Sequence, residues 1–242
     1  MGKAIIINDM LFSPNLGSVT ISGSGGDSPE PEGTILELDY LRFPTGVCFN
    51  TGVNPSNTKY YQYEEVGENL VNGFRFGSRI SASSGQCGYA ILDSNSVRVY
   101  QDVYENKIPY STISSRLTSG VIKINIIPDA YAILQNEEQI SYGHFTSAAS
   151  TSYPLVLGGI NLAGTVSANQ TEAVNIKSFK VYDNGWNNLI YHVVPVLYDG
   201  SPCLYDVINH TVASGWNVST DTTVEYSYNG MVSTGTLLLG NS

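Results

Sequence analysis

The sequence predicts an all-β fold, and three observations lead to that prediction. The 242 residues include 17 Tyr and 24 Gly, while charged residues make up only 13%; aromatic residues favour strands and glycines favour turns. Several segments alternate apolar and polar residues with a period of two, as in residues 121–127, where Ile122, Ile124 and Ile126 share one face. Turn signals recur at the spacing typical of a sandwich or barrel. A chain of this length can bury one large core.

The amino-terminal part differs in composition from the rest. Residues 1–21 hold two short apolar pieces, and residues 22–33 read SGSGGDSPEPEG, without one large apolar side chain. Gly and Ser make such a segment flexible, and Pro extends it. The pattern predicts a docking segment at 1–21 and a flexible linker at 22–33. An extra edge strand packed on the main domain is the alternative for residues 1–21.

The main domain is predicted to span residues 34–220, followed by a carboxy-terminal strand or extension at 221–242. In residues 34–41 the period of two places Leu36, Leu38 and Tyr40 on one face. A turn at Asn136 predicts a hairpin, and residues 111–117 form the only plausible helical turn. The strand candidates are 34–41, 47–50, 59–66, 73–77, 89–92, 96–100, 121–127, 131–134, 140–142 and 154–157.

A late hairpin is predicted around Asp183-Asn184-Gly185, because Asn-Gly tolerates the positive φ of a tight turn. In the strand before it, Phe179 and Val181 point to the core by parity. The alternate residues 178, 180 and 182 point to the other side of the sheet.

The Pro-Cys-Leu-Tyr-Asp stretch that follows is predicted to be structural. We expect Leu204 and Tyr205 to close one end of the sandwich. Asp206 is expected to tie a loop by accepting backbone hydrogen bonds.

The charge balance excludes several classes of partner. The formal net charge is −10, with 11 Lys plus Arg, whereas a nucleic-acid surface or a polybasic membrane anchor needs clustered positive charge. The first nine residues hold an apolar run too short for a signal peptide, and no later segment is long enough to span a membrane. The sequence therefore predicts synthesis in the cytoplasm, with no nucleic acid and no membrane as partners.

The three cysteines predict buried, inert thiols. Cys48, Cys87 and Cys203 are widely spaced, and no CxxC or Cys/His cluster is present. No metal site and no cofactor are therefore expected.

Five motifs in order carry a resemblance to a known family. They read YLRFPTGVCFNTGVNPSNTKYYQYEEV, FGSR, PLVLGG, IKSFKVYDNG and PCLYDVINH. Together they resemble the concanavalin A-like, LamG-type jelly-roll domains of phages and mobile elements of gut bacteria. The resemblance covers residues 36–216. The segment GKAIIINDMLFSPNLGSVTI is similar to amino-terminal segments of virion proteins from Bacteroides phages.

The resemblance implies a concanavalin A-like jelly-roll sandwich and a non-enzymatic virion structural protein. Such a protein would belong to the head, or to a tail fibre or decoration, and would display a lectin-like domain. Residues 1–21 would then bind other virion proteins, and a homo-oligomer is expected in the virion. The alternative is a carbohydrate-binding module that recognises glycans on the host surface.

The candidates for catalysis lack a complete constellation. Glu37 and Asp39 would lie on one face of a strand and resemble the Glu-x-Asp-x-Glu strand of jelly-roll glucanases. The third acidic position is Leu41, however, so a glycoside hydrolase is the least favoured reading. The three histidines are far apart, and His192 is expected to be a hydrogen-bonded strand residue rather than a base.

Aromatic residues are the remaining functional signal. Trp186, Tyr104 and Tyr110 are the candidate ligand-binding residues, since exposed rings can stack on sugars. Other tyrosines, such as Tyr61 and Tyr89, fit a stacking face or the half-buried filling of strands equally well.

Overall fold

The computed structural model describes residues 34–67, 73–81, 83–92, 96–109, 120–168, 173–219 and 221–240. The predicted docking segment, the linker and the predicted helical turn at 111–117 all lie outside these ranges. Within them the regular structure consists of strands, which confirms the predicted all-β fold. The described residues contain no helix long and apolar enough to cross a membrane.

Twenty strands occur in the described part of the chain. In chain order they are β1 (Ile35–Glu37), β2 (Tyr40–Phe43), β3 (Phe49–Asn50), β4 (Lys59–Val66), β5 (Gly73–Arg79), β6 (Gln86–Leu92), β7 (Ser96–Asp102), β8 (Tyr104–Pro109), β9 (Val121–Ile127), β10 (Ala130–Gln135), β11 (Glu138–His144), β12 (Val156–Leu157), β13 (Ile160–Leu162), β14 (Thr165–Ser167), β15 (Val174–Asp183), β16 (Leu189–Tyr198), β17 (Ser201–Asp206), β18 (Thr211–Val212), β19 (Thr223–Tyr228) and β20 (Met231–Thr236).

The strands form two sheets. The first sheet has the order β11-β10-β9-β4-β15-β16-β17-β18, with β1 on β16, β2 between β15 and β19, and β20 beyond β19. The second sheet has the order β14-β13-β5-β6-β7-β8, extended by β12 and β3. All pairs are antiparallel except β13 with β5. Strands distant in sequence lie side by side, such as β4 with β15 and β2 with β19, as in the predicted jelly roll.

The main core lies between the two sheets. Tyr63 of β4 and Phe76 of β5 have ring centroids 5.3 Å apart, so side chains of both sheets meet. Ile122, Ile124 and Ile126 are fully buried there, as predicted. Phe179 and Val181 are also fully buried in this core, which confirms the predicted orientation of β15.

A buried ion pair crosses the main core. The Arg75 Nε atom of β5 lies 2.9 Å from the Glu65 Oε2 atom of β4, and both side chains are almost completely buried. The Tyr63 hydroxyl donates a hydrogen bond of 3.0 Å to the same oxygen. Burial raises the pKa of the Glu65 carboxyl, while the Arg75 charge opposes that effect. The pair therefore connects the two sheets through charge as well as through apolar packing.

The predicted strand at residues 34–41 is wrong in one respect, because the chain changes partners in its middle. β1 pairs with β16, and β2 pairs with β15 and β19. At the break, the Leu38 amide donates to the Pro195 carbonyl at 3.0 Å and the Asp39 amide donates to the Ser227 carbonyl at 2.8 Å. Leu36 is consequently exposed, and residues 36, 38 and 40 do not form one buried face.

Both predicted hairpins are present. β10 and β11 are joined by a turn in which Asn136 and Glu137 have positive φ. β15 and β16 are joined through Asn184, with φ of 53°, and Gly185, with φ of 111°. The second connection runs to residue 188 before β16 begins, so it is longer than a two-residue turn.

All three cysteines are free and buried, as predicted. Burial raises the pKa of Cys48 to about 11 and that of Cys87 and Cys203 to about 12. The thiolate is therefore a negligible species in the folded chain at neutral pH.

Candidate functional site

Trp186 lies in the loop between β15 and β16, on the outer face of the first sheet. Its ring makes edge-to-face contacts with Tyr60 at 5.2 Å and with Tyr182 at 5.1 Å. Ala130 and Leu134 belong to the same small apolar cluster, and Trp186 is only 9% exposed. The indole ring thus packs on the sheet and offers little free surface for a ligand.

The described structure does not place the other two predicted ligand-binding residues beside Trp186. Tyr104 begins β8 in the second sheet, where its backbone pairs with Gln101; its side chain lies outside the description. Tyr110 lies outside the described residues altogether. Trp186 therefore packs on the first sheet while Tyr104 belongs to the second, and their role in binding stays a prediction.

Most of the remaining aromatic candidates are core residues. Tyr61, Tyr63 and Tyr89 are at most 1% exposed, and Tyr100 is 5% exposed. Trp216 packs against Phe49, with ring centroids 5.1 Å apart. Of the two readings that the sequence left open for these rings, the structure supports the filling of strands.

The two carboxylates of the glucanase-like pattern are not aligned on one strand. Glu37 ends β1 and is exposed, whereas Asp39 lies in the break before β2. The Asp39 Oδ2 atom accepts hydrogen bonds of 2.8 Å from the Gly230 amide and from the Ser227 hydroxyl. These bonds, that of Gly230 first, lower the pKa of Asp39. Asp39 therefore fixes the β19–β20 hairpin, and the expectation that it shares a strand face with Glu37 is wrong.

The histidines are distributed over the first sheet. His144 ends β11 at one edge, His210 follows β17 near the other edge, and both are exposed. His192 is buried in β16 and is a strand residue, as expected; its carbonyl accepts a hydrogen bond of 2.9 Å from the Val207 amide, while its Nε2 atom has no hydrogen-bond partner. Burial, aided by the Lys180 charge, lowers the pKa of His192 to about 3. Among the described residues, no cluster of three or more His, Cys, Asp or Glu side chains could hold a metal ion.

A cleft lies at the β17–β18 end of the first sheet. Its volume is about 860 Å³. It lies between the edge of this sheet and the carboxy-terminal tail. The described residues that line it are Thr51, Tyr191, Tyr198, Asp206, Asn209, His210, Thr211, Val212, Ala213, Ser214, Leu238, Leu239 and Gly240.

Asp206 shapes the loop on one side of the cleft. Its Oδ1 atom accepts hydrogen bonds from the Ile208 amide at 2.9 Å and the Asn209 amide at 3.1 Å. Its Oδ2 atom accepts a bond of 2.7 Å from the Asn209 side-chain amide. The predicted role of Asp206 in tying a loop is confirmed, and the loop presents Asn209 and His210 at the surface.

The carboxy-terminal tail forms the opposite side of the cleft. The Leu238 amide donates a hydrogen bond of 2.9 Å to the Pro202 carbonyl, which fixes the tail beside β17. At Gly240 a Cβ atom would approach the Val212 carbonyl to 2.5 Å and the Ala213 carbonyl to 2.7 Å. Only glycine permits this approach, so the tail lies directly against β18.

Two tyrosines, on opposite faces of β16, line the cleft. Tyr191 packs against Phe179 of the core, with ring centroids 6.3 Å apart. Tyr198 packs on the apolar cluster formed by Val196 and Cys203 on the outer face of the first sheet. Both side chains are only partly buried. Burial, with a further contribution from the Asp206 charge, raises the pKa of Tyr191, so its hydroxyl is protonated and can donate at neutral pH.

The cleft combines phenol rings with short polar groups. Asn209, His210, Thr211 and Ser214 offer amide, imidazole and hydroxyl groups at exposed positions. Such groups can both donate and accept hydrogen bonds. The arrangement suits a neutral ligand rich in hydroxyl groups.

Comparisons with known proteins give only remote likenesses. No protein-family model matches the chain, and no curated protein matches it. Among solved structures, domains LG4-5 of the mouse laminin α1 chain match at 14% identity with a TM-score of 0.42. That match covers 60% of this chain and 41% of the laminin chain.

Two bacterial structures are similar at the same level. A protein from Bacteroides ovatus, assigned to carbohydrate binding, matches at 12% identity with a TM-score of 0.45, covering 86% of this chain and 62% of that chain. The carbohydrate-binding module CBM40 of the Ruminococcus gnavus IT-sialidase, bound to α2,3-sialyllactose, matches at 15% identity with a TM-score of 0.36, covering 65% of this chain and 92% of the module. None of these three is a phage protein. With TM-scores below 0.5, they transfer no function to this chain.

Proposed function

We propose that the chain is a non-catalytic glycan-binding protein that holds its ligand in the cleft between β17–β18 and the carboxy-terminal tail. The observation that carries the proposal is a concave site in which the half-buried Tyr191 side chain lies with neutral hydrogen-bonding groups. Sugars present hydroxyl groups at their edges and apolar C–H groups on their faces. Protein hydroxyl and amide groups form hydrogen bonds with the sugar hydroxyls, and aromatic rings pack against the C–H faces.

The size of the cleft supports a small-molecule ligand. Its volume of about 860 Å³ falls within the range of roughly 300–1,000 Å³ typical of ligand pockets. Its walls are fixed by the hydrogen bonds of Asp206 and of the Leu238 amide. A preorganised site loses less conformational entropy when a ligand binds.

A glycan array followed by calorimetric titration of the best binder tests the proposal. Tyr191→Phe removes one hydroxyl and keeps the ring, and His210→Asn removes the imidazole. Asn suits this position because residue 210 has a φ of 53°. Each change should weaken binding about fivefold, since a hydrogen bond to a ligand is worth on the order of 1 kcal/mol.

The matched control is His144→Asn, which changes an exposed histidine at the opposite edge of the first sheet. It should leave the affinity unchanged. The proposal would be refuted if the wild-type protein bound no glycan. It would also be refuted if both cleft variants bound the glycan as tightly as wild type.

The narrower hypothesis, a virion structural protein docked through residues 1–21, is supported by the sequence resemblance alone. Residues 1–33 lie outside the described structure. Mass spectrometry and electron microscopy of purified particles would test it. The chain should be found on particles, and a chain that lacks residues 1–33 should not be.

A further inference from the structure

We infer that the cleft selects uncharged glycans and disfavours glycans that carry carboxylate, sulfate or phosphate groups. The inference rests on the proposed function and narrows it to one class of ligand. It is carried by the distribution of charge around the cleft rather than by its shape.

The described lining of the cleft holds no counter-ion for an anionic sugar. Among the residues that line it, Asp206 is the only carboxylate, and neither lysine nor arginine is present. The whole chain has the same bias, with 21 acidic and 11 basic side chains. Proteins that bind anionic groups generally do so with Arg or Lys, through charge-assisted hydrogen bonds.

The hydrogen-bond partners of Asp206 carry no positive charge. Both of its oxygens accept hydrogen bonds, and all of the donors are uncharged amides of Ile208 and Asn209. Uncharged donors stabilise the ionised carboxylate but leave its negative charge in place. The charge also reaches Tyr191 on the neighbouring strand, since after burial it is a further cause of the raised pKa of that phenol.

A negatively charged sugar in the cleft would therefore meet a like charge without a compensating cation. Like charges that face each other at an interface disfavour association and act as a specificity device. The hydroxyl groups of a neutral sugar encounter no such penalty. They find the amide, imidazole and hydroxyl groups of the lining.

Matched pairs of glycans test the inference. The neutral glycan that binds best on an array is titrated beside its own sialylated and sulfated derivatives by isothermal calorimetry at about 20 and 300 mM NaCl. Wild type should bind the charged derivatives at least about tenfold more weakly at low salt. The difference should shrink at high salt, because salt screens the repulsion.

The variant Asp206→Asn removes the charge and retains a side-chain oxygen that can accept from the loop amides. It should reduce the ratio of affinities between the neutral glycan and its charged derivatives. Asp129→Asn changes the net charge equally at an exposed turn between β9 and β10, and should leave the ratio unchanged. The salt dependence of the wild type tests the inference independently if Asp206→Asn does not fold.

The outcomes separate the inference from the function on which it rests. Charged derivatives that bind as tightly as the neutral glycan, or more tightly, overturn the charge selection and leave glycan binding intact. A ratio that responds equally to Asp129→Asn and Asp206→Asn overturns the role of Asp206. Wild-type protein that binds neither neutral nor charged glycans overturns the proposed function, and the inference with it.

Discussion

At the scale of single residues, buried polar groups make the sandwich sensitive to substitution. The ion pair between Glu65 and Arg75 has an N–O distance of 2.9 Å and is almost fully buried. A buried pair of charges stabilises little in comparison with apolar packing, but the removal of one partner leaves the other charge without compensation. The two sheets are therefore sensitive to a change at either residue.

Arg75→Met should lower the free energy of unfolding by about 3–5 kcal/mol, because it leaves the Glu65 carboxyl buried without its cation. Urea denaturation provides the measurement. Arg42→Met is the control, since the Arg42–Glu225 pair is more than one third exposed and should cost less than about 1 kcal/mol. The double variant Glu65→Leu/Arg75→Met should be more stable than Arg75→Met alone. A loss no larger than that of Arg42→Met would contradict this reading of the core.

His192 makes the stability depend on pH. The pKa of its imidazole is about 3 in the folded chain, against 6.5 for an unperturbed histidine. Between these values the unfolded chain binds a proton that the folded chain excludes. The contribution to stability is therefore fully present above about pH 6.5 and is lost as the pH falls toward 3.

The slope should approach about 1.4 kcal/mol per pH unit within that window. Urea denaturation from pH 7 to pH 4 measures it, after subtraction of the curve for His192→Gln. The exposed His144 serves as the control, and His144→Gln should retain the slope. The same slope in His192→Gln as in wild type would assign it to other groups.

At the scale of strands, a close approach of two backbones fixes the centre of the second sheet. Gly88 of β6 pairs with Gly77 of β5 and has a φ of 156°. A Cβ atom at residue 88 would lie 2.4 Å from the Phe76 carbonyl oxygen. No flexible side chain can move to relieve this contact, because the crowded atoms belong to the backbone.

Gly88→Ala should lower the free energy of unfolding by about 2–4 kcal/mol through crowding and backbone strain. Gly200→Ala is the matched control, since Gly200 also has positive φ but no atom lies within 4 Å of its added Cβ. That change should cost only about 1 kcal/mol. Thermal and urea denaturation compare the two variants. Similar losses in both would show that φ alone determines the effect.

The strands that the sequence predicts well are those whose pattern is local. β4 and β9 have the predicted bounds, residues 59–66 and 121–127, because alternation along one strand reports which face is buried. The break between β1 and β2 was not predictable in this way. It depends on partners more than 130 residues away, such as Pro195 and Ser227, and no local pattern records a change of partner.

The candidate site was only partly predictable for a related reason. The loop role of Asp206 follows from its local sequence and is confirmed. The cleft itself joins Thr51, Tyr191 and Leu238, which come together only when the sheet edge and the tail have folded. The aromatic candidates were chosen by residue type, and residue type does not distinguish the buried Tyr61 from the half-buried Tyr191.

At the scale of the whole molecule, the two ends of the described chain support one another. β2, near the start, pairs with β19, near the end, and the tail beyond β20 completes both the core and the cleft. Val224 and Leu237 are each 3% exposed in the main core. Pairing between such distant segments couples the folding of the sandwich to its last residues.

A chain that ends at residue 220 should therefore lose most of its stability. The truncation removes β19, β20 and two core side chains, each worth about 1.5–3 kcal/mol, from a domain whose total stability is expected to be about 5–15 kcal/mol. Far-UV circular dichroism and urea denaturation would show a weak or non-cooperative transition. Cooperative unfolding close to that of the full chain would identify residues 221–242 as a dispensable extension.

The three buried thiols can report where the folded chain opens locally. Cys87 lies on β6, inside the second sheet, Cys203 lies on β17 of the first sheet, and Cys48 precedes β3. An alkylating reagent can reach each sulfur only in molecules that have opened at that point. Three variants, each with one of these cysteines, can be pulsed with iodoacetamide and analysed by mass spectrometry. The variant that keeps Cys48 should be labelled fastest and the one that keeps Cys87 slowest. That order gives a chronology of how the two sheets separate, and labelling of Cys87 as fast as Cys48 would instead indicate that the sandwich opens as a single unit.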